Sequence, residues 1–109
     1  MISKVKKIRL SEHDLASLKA TFLENFLPGD RLWIFGSRVD LTKKGGDIDL
    51  YIETYATNVK DALKMRKNFI SMLEEKIGEQ KIDVVLNFIN YPYPLFIHKV
   101  ALNEGIRII

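Results

Sequence analysis

Apolar residues recur at helical spacing in three stretches of the chain. In the first, Ser11 is a residue type that caps helix N-termini, and Pro28-Gly29 ends the pattern. Between them, large apolar side chains follow one another mostly three or four residues apart. They are Leu15, Leu18, Phe22, Leu23 and Phe26. This pattern predicts an amphipathic helix that buries one stripe against a core.

The longest helical pattern covers residues 58–77 and ends at Gly78, where a glycine cap is expected. Its predicted buried stripe consists of Val59, Ala62, Leu63, Ile70, Leu73 and Ile77. A last helix is predicted after a turn at residues 91–94, with Pro94 as its first residue and Gly105 as its stop.

Four shorter stretches have the pattern of strands. Residues 32–35 are wholly apolar and predict a buried strand, whereas residues 47–53 alternate polar and apolar side chains and predict a strand with one buried face. Residues 81–88 predict a further strand, and residues 106–109 a short edge strand. Helices and strands mixed in this order predict a single α+β domain over residues 1–109, with a small mixed sheet flanked by helices.

Composition narrows the class of protein. The 109 residues are 47% hydrophobic and 28% charged, which is globular composition and argues against a disordered chain. The sequence has no cysteine, which excludes a disulfide scaffold, a thiolate zinc site and a cysteine nucleophile. The same absence makes a reducing cytoplasm the expected location. No apolar run approaches the ~20 residues that span a bilayer, so no membrane association is expected.

Charge is unevenly distributed, although the net charge is only +3. Residues 1–10 are basic and contain no acid, so nucleic-acid binding through them is a less favoured alternative. Residues 31–46 carry four basic residues against one acid, and residues 47–57 carry only acids. A basic loop that leads into a cluster of acids has what a phosphate-and-metal site requires. A solvated loop beside a polar strand face is the alternative interpretation.

Asp47 and Asp49 are two residues apart on a predicted strand, so both side chains point to the face opposite Ile48. Two carboxylates this close repel each other unless a cation lies between them, and such hard oxygen ligands suit Mg²⁺. Asp83 lies in the otherwise apolar strand 81–88, where an unpaired buried carboxylate would be costly. On an adjacent strand it would complete a three-carboxylate cluster that can hold two metal ions for phosphoryl transfer. Taken singly, each aspartate also fits an exposed strand position.

Gly36-Ser37 directly follows the apolar strand 32–35. Glycine lets the backbone approach a phosphate closely, and backbone N–H groups with a serine hydroxyl can cradle its oxygens. Arg38 and Lys44 are near enough in sequence to add positive charge around a triphosphate. The P-loop and dinucleotide-binding motifs are both absent, and a Gly-Ser after a strand, taken alone, predicts only a turn.

Taken jointly, these features follow one order: an apolar strand, Gly-Ser, nine residues, Asp-apolar-Asp, a helix, and a strand with a third aspartate. The stretch FGSRVDLTKKGGDIDLYIE, residues 35–53, carries the specific part of this order. It resembles the DNA polymerase beta-like nucleotidyltransferase superfamily, and within it the small, stand-alone minimal nucleotidyltransferases. The tail KVALNEGIRII, residues 99–109, is similar to the end of such domains. The resemblance therefore covers most of the chain from about residue 11 onward.

The resemblance implies a role for each candidate residue. Gly36 and Ser37 would bind the nucleotide phosphates, with Arg38 and Lys44 beside them. Asp47 and Asp49 would be metal ligands shared by two Mg²⁺ ions. The third carboxylate, Asp83, would complete the second metal site and help to activate the acceptor hydroxyl.

The function that the resemblance implies is Mg²⁺-dependent transfer of a nucleoside monophosphate, AMP from ATP, to an acceptor hydroxyl. Small members of the family are commonly paired with a helical HEPN-domain protein, so an antitoxin that modifies a HEPN-type partner is expected; a homo-oligomer is the other expected assembly. The alternative is a non-catalytic, nucleotide-binding module that restrains its partner by contact alone. Many relatives have a further glycine shortly after Gly-Ser, where this chain has Asp40-Leu41.

Overall fold

The computed structural model describes residues 8–40, 42, 46–91 and 93–109. Lys4, Lys6 and Lys7 of the basic segment 1–10, and the candidate phosphate ligand Lys44, lie outside these ranges. In chain order the elements are helix α1 (Glu12–Asn25), strand β1 (Arg31–Phe35), a 3-10 turn (Gly36–Val39), strand β2 (Ile48–Thr54), helix α2 (Val59–Ile77), strand β3 (Ile82–Phe88), helix α3 (Phe96–Glu104) and strand β4 (Ile106–Arg107). The predicted α+β class is confirmed. Within the described ranges, no helix is both long and apolar enough to cross a membrane.

The described strands form one mixed sheet in the order β3-β2-β1-β4. Strands β2 and β3 are parallel, because the connecting helix α2 returns the chain to the edge of the sheet at which β2 begins. Strand β1 is antiparallel to both β2 and β4, so the predicted edge strand near the C-terminus is confirmed.

Helices α1 and α2 cover one face of the sheet and form the main core with it. Alternate residues of β1 and β2 point toward the two helices and are almost fully buried. The core residues of the strands are Leu32, Ile34, Ile48, Leu50, Ile52 and Ile82. Across from them, Phe22, Phe26 and Phe69 pack ring against ring, with centroids 5.0 to 6.2 Å apart.

The buried stripes of the helices differ in part from the predicted ones. Leu23, Val59 and Leu63 were predicted to be buried, but 67%, 59% and 43% of their surfaces are exposed. Phe69, absent from the predicted stripe, is fully buried. The centre of the buried stripe of α2 passes through Ala62, Phe69 and Leu73. Leu63 follows Ala62 by one residue, which is about 100° around the helix, and therefore lies beside the stripe.

The helix ends agree with the sequence except at α3. The Ser11 hydroxyl accepts a hydrogen bond from the Asp14 N–H at 3.0 Å, and Gly78 ends α2 with a φ of 89°. Pro94 was predicted to begin the last helix, but α3 starts at Phe96. The reason is local, because the Leu95 N–H donates to Nδ1 of His98 at 3.3 Å and fixes the N-cap one residue before Phe96.

Helix α3 lies on the opposite face of the sheet. Ala101 packs there against Phe35 and Tyr51. His98 is only 5% exposed and its ring lies 5.5 Å from that of Tyr51. The part of this face beyond α3 carries polar side chains.

Candidate functional site

Three rows of side chains cross the sheet on the face where α3 packs. Each row takes one residue from β1, β2 and β3, because residues in register point to the same side. The rows are Phe35–Asp49–Asp83, Trp33–Tyr51–Val85 and Arg31–Glu53–Asn87. The first row lies where β1 ends and the Gly36–Val39 turn begins.

The structure brings the three predicted carboxylates together at this end of the sheet. Asp49 and Asp83 are paired on neighbouring parallel strands, and Asp47 immediately precedes β2. Burial raises the pKa of Asp49, and the negative charges of Asp83 and Asp47 raise it further. Burial and the neighbouring carboxylates together therefore disfavour the ionised form of Asp49.

Lys81 is a cation of this cluster that the sequence prediction missed. Its Nζ lies 3.5 Å from Oδ2 of Asp47, and its charge partly lowers the pKa of Asp49. Lys81 stands two residues before Asp83, so strand alternation could have placed it on the same side. Both partners are substantially exposed, so the ion pair contributes little to stability.

Gly36 and Asp49 approach each other closely. Gly36 has a φ of 71°, which side-chain-bearing residues rarely adopt, and a Cβ there would overlap Oδ2 of Asp49. The glycine thus both makes the turn and leaves room for the carboxylate.

Ser37 connects the same turn to the residue before β2. Its Oγ donates to the backbone oxygen of Asp47 at 3.3 Å. Gly46, with a φ of 93°, leaves the space for this hydroxyl, since a Cβ at that position would overlap it. Gly46 has no local sequence signal, because its role depends on a contact with a residue nine positions earlier.

Arg38, predicted to bind phosphate, is held by the loop in this structure. Its Nη1 donates to the backbone oxygen of Arg9 at 2.9 Å, and its Nη2 to Gly46 O and Gln80 Oε1, both at 3.2 Å. Arg9 in turn donates to the backbone oxygen of Ser37 at 2.8 Å. The two arginines therefore brace the turn, and phosphate binding by Arg38 stays a prediction. Lys44, the other predicted phosphate ligand, lies outside the described residues.

Side chains of the next two rows are hydrogen-bonded to one another beside the carboxylates, and these two rows together are called the floor of the site. The Tyr51 hydroxyl donates to Oε2 of Glu53 at 2.7 Å and accepts from Nδ2 of Asn87 at 2.9 Å. Nε of Arg31 lies 2.9 Å from Oε1 of Glu53. Burial, together with the hydrogen bond to Glu53, raises the pKa of Tyr51 to about 12, so the tyrosine remains a donor at any working pH. Sequence reasoning missed this network because it joins residues of three strands.

The donor set at this end of the sheet fits divalent cations in its chemistry. Carboxylate oxygens are the ligands that Mg²⁺ prefers, and the raised pKa of Asp49 marks a place where added positive charge would be favourable. Over the ranges that the structure describes, no three acidic or histidine side chains are already gathered in metal-binding geometry. Asp47, Asp49 and Asp83 are the residues that could hold such a cation.

Comparison with known proteins agrees with this geometry. No curated protein matches the chain. The family model described as a nucleotidyltransferase domain matches residues 15–108, a span that includes the Gly36-Ser37 turn and all three aspartates. Since the match covers most of the sequence, the chain belongs to the nucleotidyltransferase domain family, as its resemblance to the minimal nucleotidyltransferases of the polymerase beta-like superfamily indicates.

Proposed function

We propose that this protein transfers a nucleoside monophosphate from a nucleoside triphosphate to a hydroxyl group of an acceptor. One observation carries the proposal: the Gly36 turn lies directly against Asp49, which is paired with Asp83. In this proposal the turn binds phosphate and the carboxylates bind metal, so the two parts of the site would act side by side. Domains of this family generally use a nucleoside triphosphate with a divalent metal.

In this proposal Asp47 and Asp49 hold two Mg²⁺ ions, and Asp83 completes the second site. Bound Mg²⁺ would neutralise the charge of the triphosphate and of the carboxylates. Backbone N–H groups of the Gly36–Val39 turn and the Ser37 hydroxyl orient the phosphate oxygens. Ser37 can do so after exchanging its 3.3 Å contact with the backbone oxygen of Asp47 for the phosphate.

The reaction forms one bond and breaks one at phosphorus, and it moves one proton. The acceptor oxygen forms a bond to the α-phosphorus, and the bond from that phosphorus to the oxygen leading to the β-phosphate breaks, so pyrophosphate leaves. The proton of the acceptor hydroxyl passes to the carboxylate of Asp83. Asp83 is exposed, so an incoming group can reach it. Tyr51 and its partners hold the strands of the floor in register.

The finer assignments rest on the family resemblance. They are AMP from ATP as the transferred group, a HEPN-type partner protein as the acceptor, an antitoxin role, and a cytoplasmic location. The absence of cysteine from the sequence supports the location. The alternative is that the protein restrains its partner by contact alone, without nucleotidyl transfer. That result would replace these assignments.

Labelling of a HEPN-type partner protein tests these assignments. With ATP labelled at the α-phosphate and Mg²⁺, the wild-type protein is expected to label the partner, and Asp47→Ala is expected to abolish labelling. Equal labelling by Asp47→Ala would contradict the proposal. In cells that express the partner, full protection by Asp83→Asn protein would show that contact, rather than transfer, restrains the partner.

A further inference from the structure

Strand β3 has a free outer edge within the part of the chain that the structure describes. The backbone oxygen of Lys81 accepts from Ile48 N–H, and Ile89 N–H donates to the oxygen of Thr54, so odd-numbered residues direct their backbone toward β2. Backbone direction alternates along a strand, and therefore Val84 and Leu86 direct their N–H and C=O groups away from the sheet. The N–H groups of both residues and the oxygen of Leu86 are spaced to pair with another strand, whereas the oxygen of Val84 accepts a hydrogen bond from Arg66 that an added strand would replace.

The sequence of β3 does little to prevent such pairing. Its seven residues, IDVVLNF, include no lysine, proline or glycine, which are common means of protecting an edge strand. The charged residue of the strand is Asp83, which lies on the face of the candidate active site. An added strand would therefore meet an apolar edge with one carboxylate beside it.

Helix α2 carries a shallow groove on its exposed face, lined by residues of this helix alone. The groove has a volume of about 510 Å³ and is lined by Leu63, Arg66, Lys67, Ile70, Ser71 and Glu74. Nη1 of Arg66 lies 3.5 Å from the outward backbone oxygen of Val84, so the groove and the strand edge adjoin. Leu63 is 43% exposed, and the lining carries two cations, Arg66 and Lys67, against one acid, Glu74. This net positive charge favours a segment that carries an acidic side chain.

We propose that the outer edge of β3 binds an extended, acidic segment of the acceptor protein as an additional strand. This inference rests on the proposed function and names how the acceptor is presented. One side of the added strand would face Arg66 and the groove, and the other would face the candidate active site. Side chains paired across neighbouring strands have Cβ atoms about 4.5–5.5 Å apart, so a hydroxyl residue opposite Asp83 would lie beside that carboxylate.

A second copy of this chain fits the edge less well. Antiparallel pairing of two β3 strands about Val84 would bring the two Arg66 side chains together, and like charges facing each other oppose association. An acidic segment has the complementary charge.

Amide hydrogen exchange of the β3 segment tests the proposal, with the acceptor protein that the wild-type enzyme labels as the probe. The amides of Val84 and Leu86 are expected to exchange freely in the protein alone and to become protected when the acceptor is added. If these amides became protected at higher concentrations of this protein without any acceptor, the edge would be assigned to a second copy. That result would overturn the proposal. Exchange that stays fast while the acceptor is labelled would overturn it as well.

Kinetics of matched variants separate this inference from the proposed function. Arg66→Glu is expected to raise the KM for the acceptor about tenfold while leaving the KM for ATP near that of the wild type. Lys64→Glu, on the same helix but outside the groove, is the control and is expected to change neither. A change in the KM for ATP alone would assign Arg66 to the nucleotide instead. If the wild-type protein labels no acceptor, the proposed function itself fails, and this inference with it.

Val84→Pro gives a second test on the strand itself. Proline removes an N–H group that points outward, so the pairing with β2 is retained and the change is tolerable at an edge. We expect an unchanged circular dichroism spectrum and a rise of at least about tenfold in the KM for the acceptor with kcat unchanged, a split that displacement of the neighbouring Asp83 carboxylate would not produce. An unchanged KM for the acceptor in a folded Val84→Pro protein would overturn the proposal.

Discussion

The carboxylate of Asp49 occupies the space that a side chain on Gly36 would fill. This contact joins the turn after β1 to strand β2, which carries Asp49 and directly follows Asp47. The position of the carboxylate therefore depends on a residue that has no functional group of its own. A side chain at position 36 should therefore lower the activity, although no reactive group is removed.

Gly36→Ala is expected to reduce kcat/KM by at least about 100-fold, because the new methyl group displaces the Asp49 carboxylate. The substitution also strains the backbone, since Gly36 has a φ of 71°. Rates of α-phosphate transfer, measured on protein that is folded by circular dichroism, check this prediction.

Gly78→Ala is the matched control. Gly78 has a φ of 89°, yet no atom lies within 4 Å of the position where its Cβ would be. This variant should lose about 1–3 kcal/mol of stability, because Gly78 has φ 89° and ψ 168°, a conformation that essentially only glycine adopts, and it should keep its activity. If both glycine variants lost activity equally, strain rather than displacement of Asp49 would be the cause.

Asp49→Asn is expected to stabilise the metal-free protein at pH 7 while abolishing transfer. The pKa of Asp49 is raised above its ordinary value of 3.8, by burial first and then by Asp83 and Asp47. A carboxyl group of this kind favours folding at pH values below 3.8, and that contribution is lost as the pH rises through the raised pKa. Because the group is partly exposed, the gain from asparagine should be only about 0.5 kcal/mol.

Thermal unfolding of the two proteins across pH measures this effect. The advantage of Asp49→Asn should shrink as the pH falls toward 3.8, and Mg²⁺ should raise the Tm of the wild type more than that of the variant. A variant that is less stable than the wild type at pH 7 without metal would contradict the electrostatic account.

Tyr51→Phe is expected to destabilise the fold by about 1–3 kcal/mol, because Glu53 and Asn87 each lose a hydrogen-bond partner in a partly buried network. Tyr55→Phe, at a residue that is 41% exposed, should change stability by less than about 0.5 kcal/mol. Urea unfolding compares the two. Equal losses of stability in the two variants would mean that the hydrogen bonds of Tyr51 do not stabilise the fold.

Phe69→Ala is expected to lose about 3–5 kcal/mol, enough to unfold much of the protein, because the ring is fully buried against Phe22 and Phe26. Leu63→Ala should lose less than about 1 kcal/mol, since Leu63 is 43% exposed. The predicted buried stripe included Leu63 and left out Phe69, so the pair tests which stripe of α2 faces the core.

Some features of the fold could be predicted because their signals are local. Ser11 and Gly78 mark helix ends through contacts within their own turn. The alternation of residues 47–53 correctly placed Asp49 opposite the buried Ile48. The family's spacing of Gly-Ser and the aspartates then indicated which residues meet.

Other features depend on contacts that local patterns do not encode. Lys81 is recognised as a partner of Asp47 only once β3 lies beside β2. Gly46 is explained only by the Ser37 hydroxyl that fills its space. The burial of Phe69 depends on where α2 rests on the sheet, and a rotation of one residue is enough to exchange Leu63 for its neighbour on the buried stripe.

The fate of the triphosphate tests the central claim most directly. The wild-type protein should be incubated with an acceptor protein, Mg²⁺ and ATP labelled at either the α- or the γ-phosphate. Nucleotidyl transfer predicts that only the α-label becomes attached to the acceptor, with one pyrophosphate released for each label and neither product formed by Asp47→Ala. Attachment of the γ-label, or attachment of the α-label by Asp47→Ala at the wild-type rate, would contradict the account.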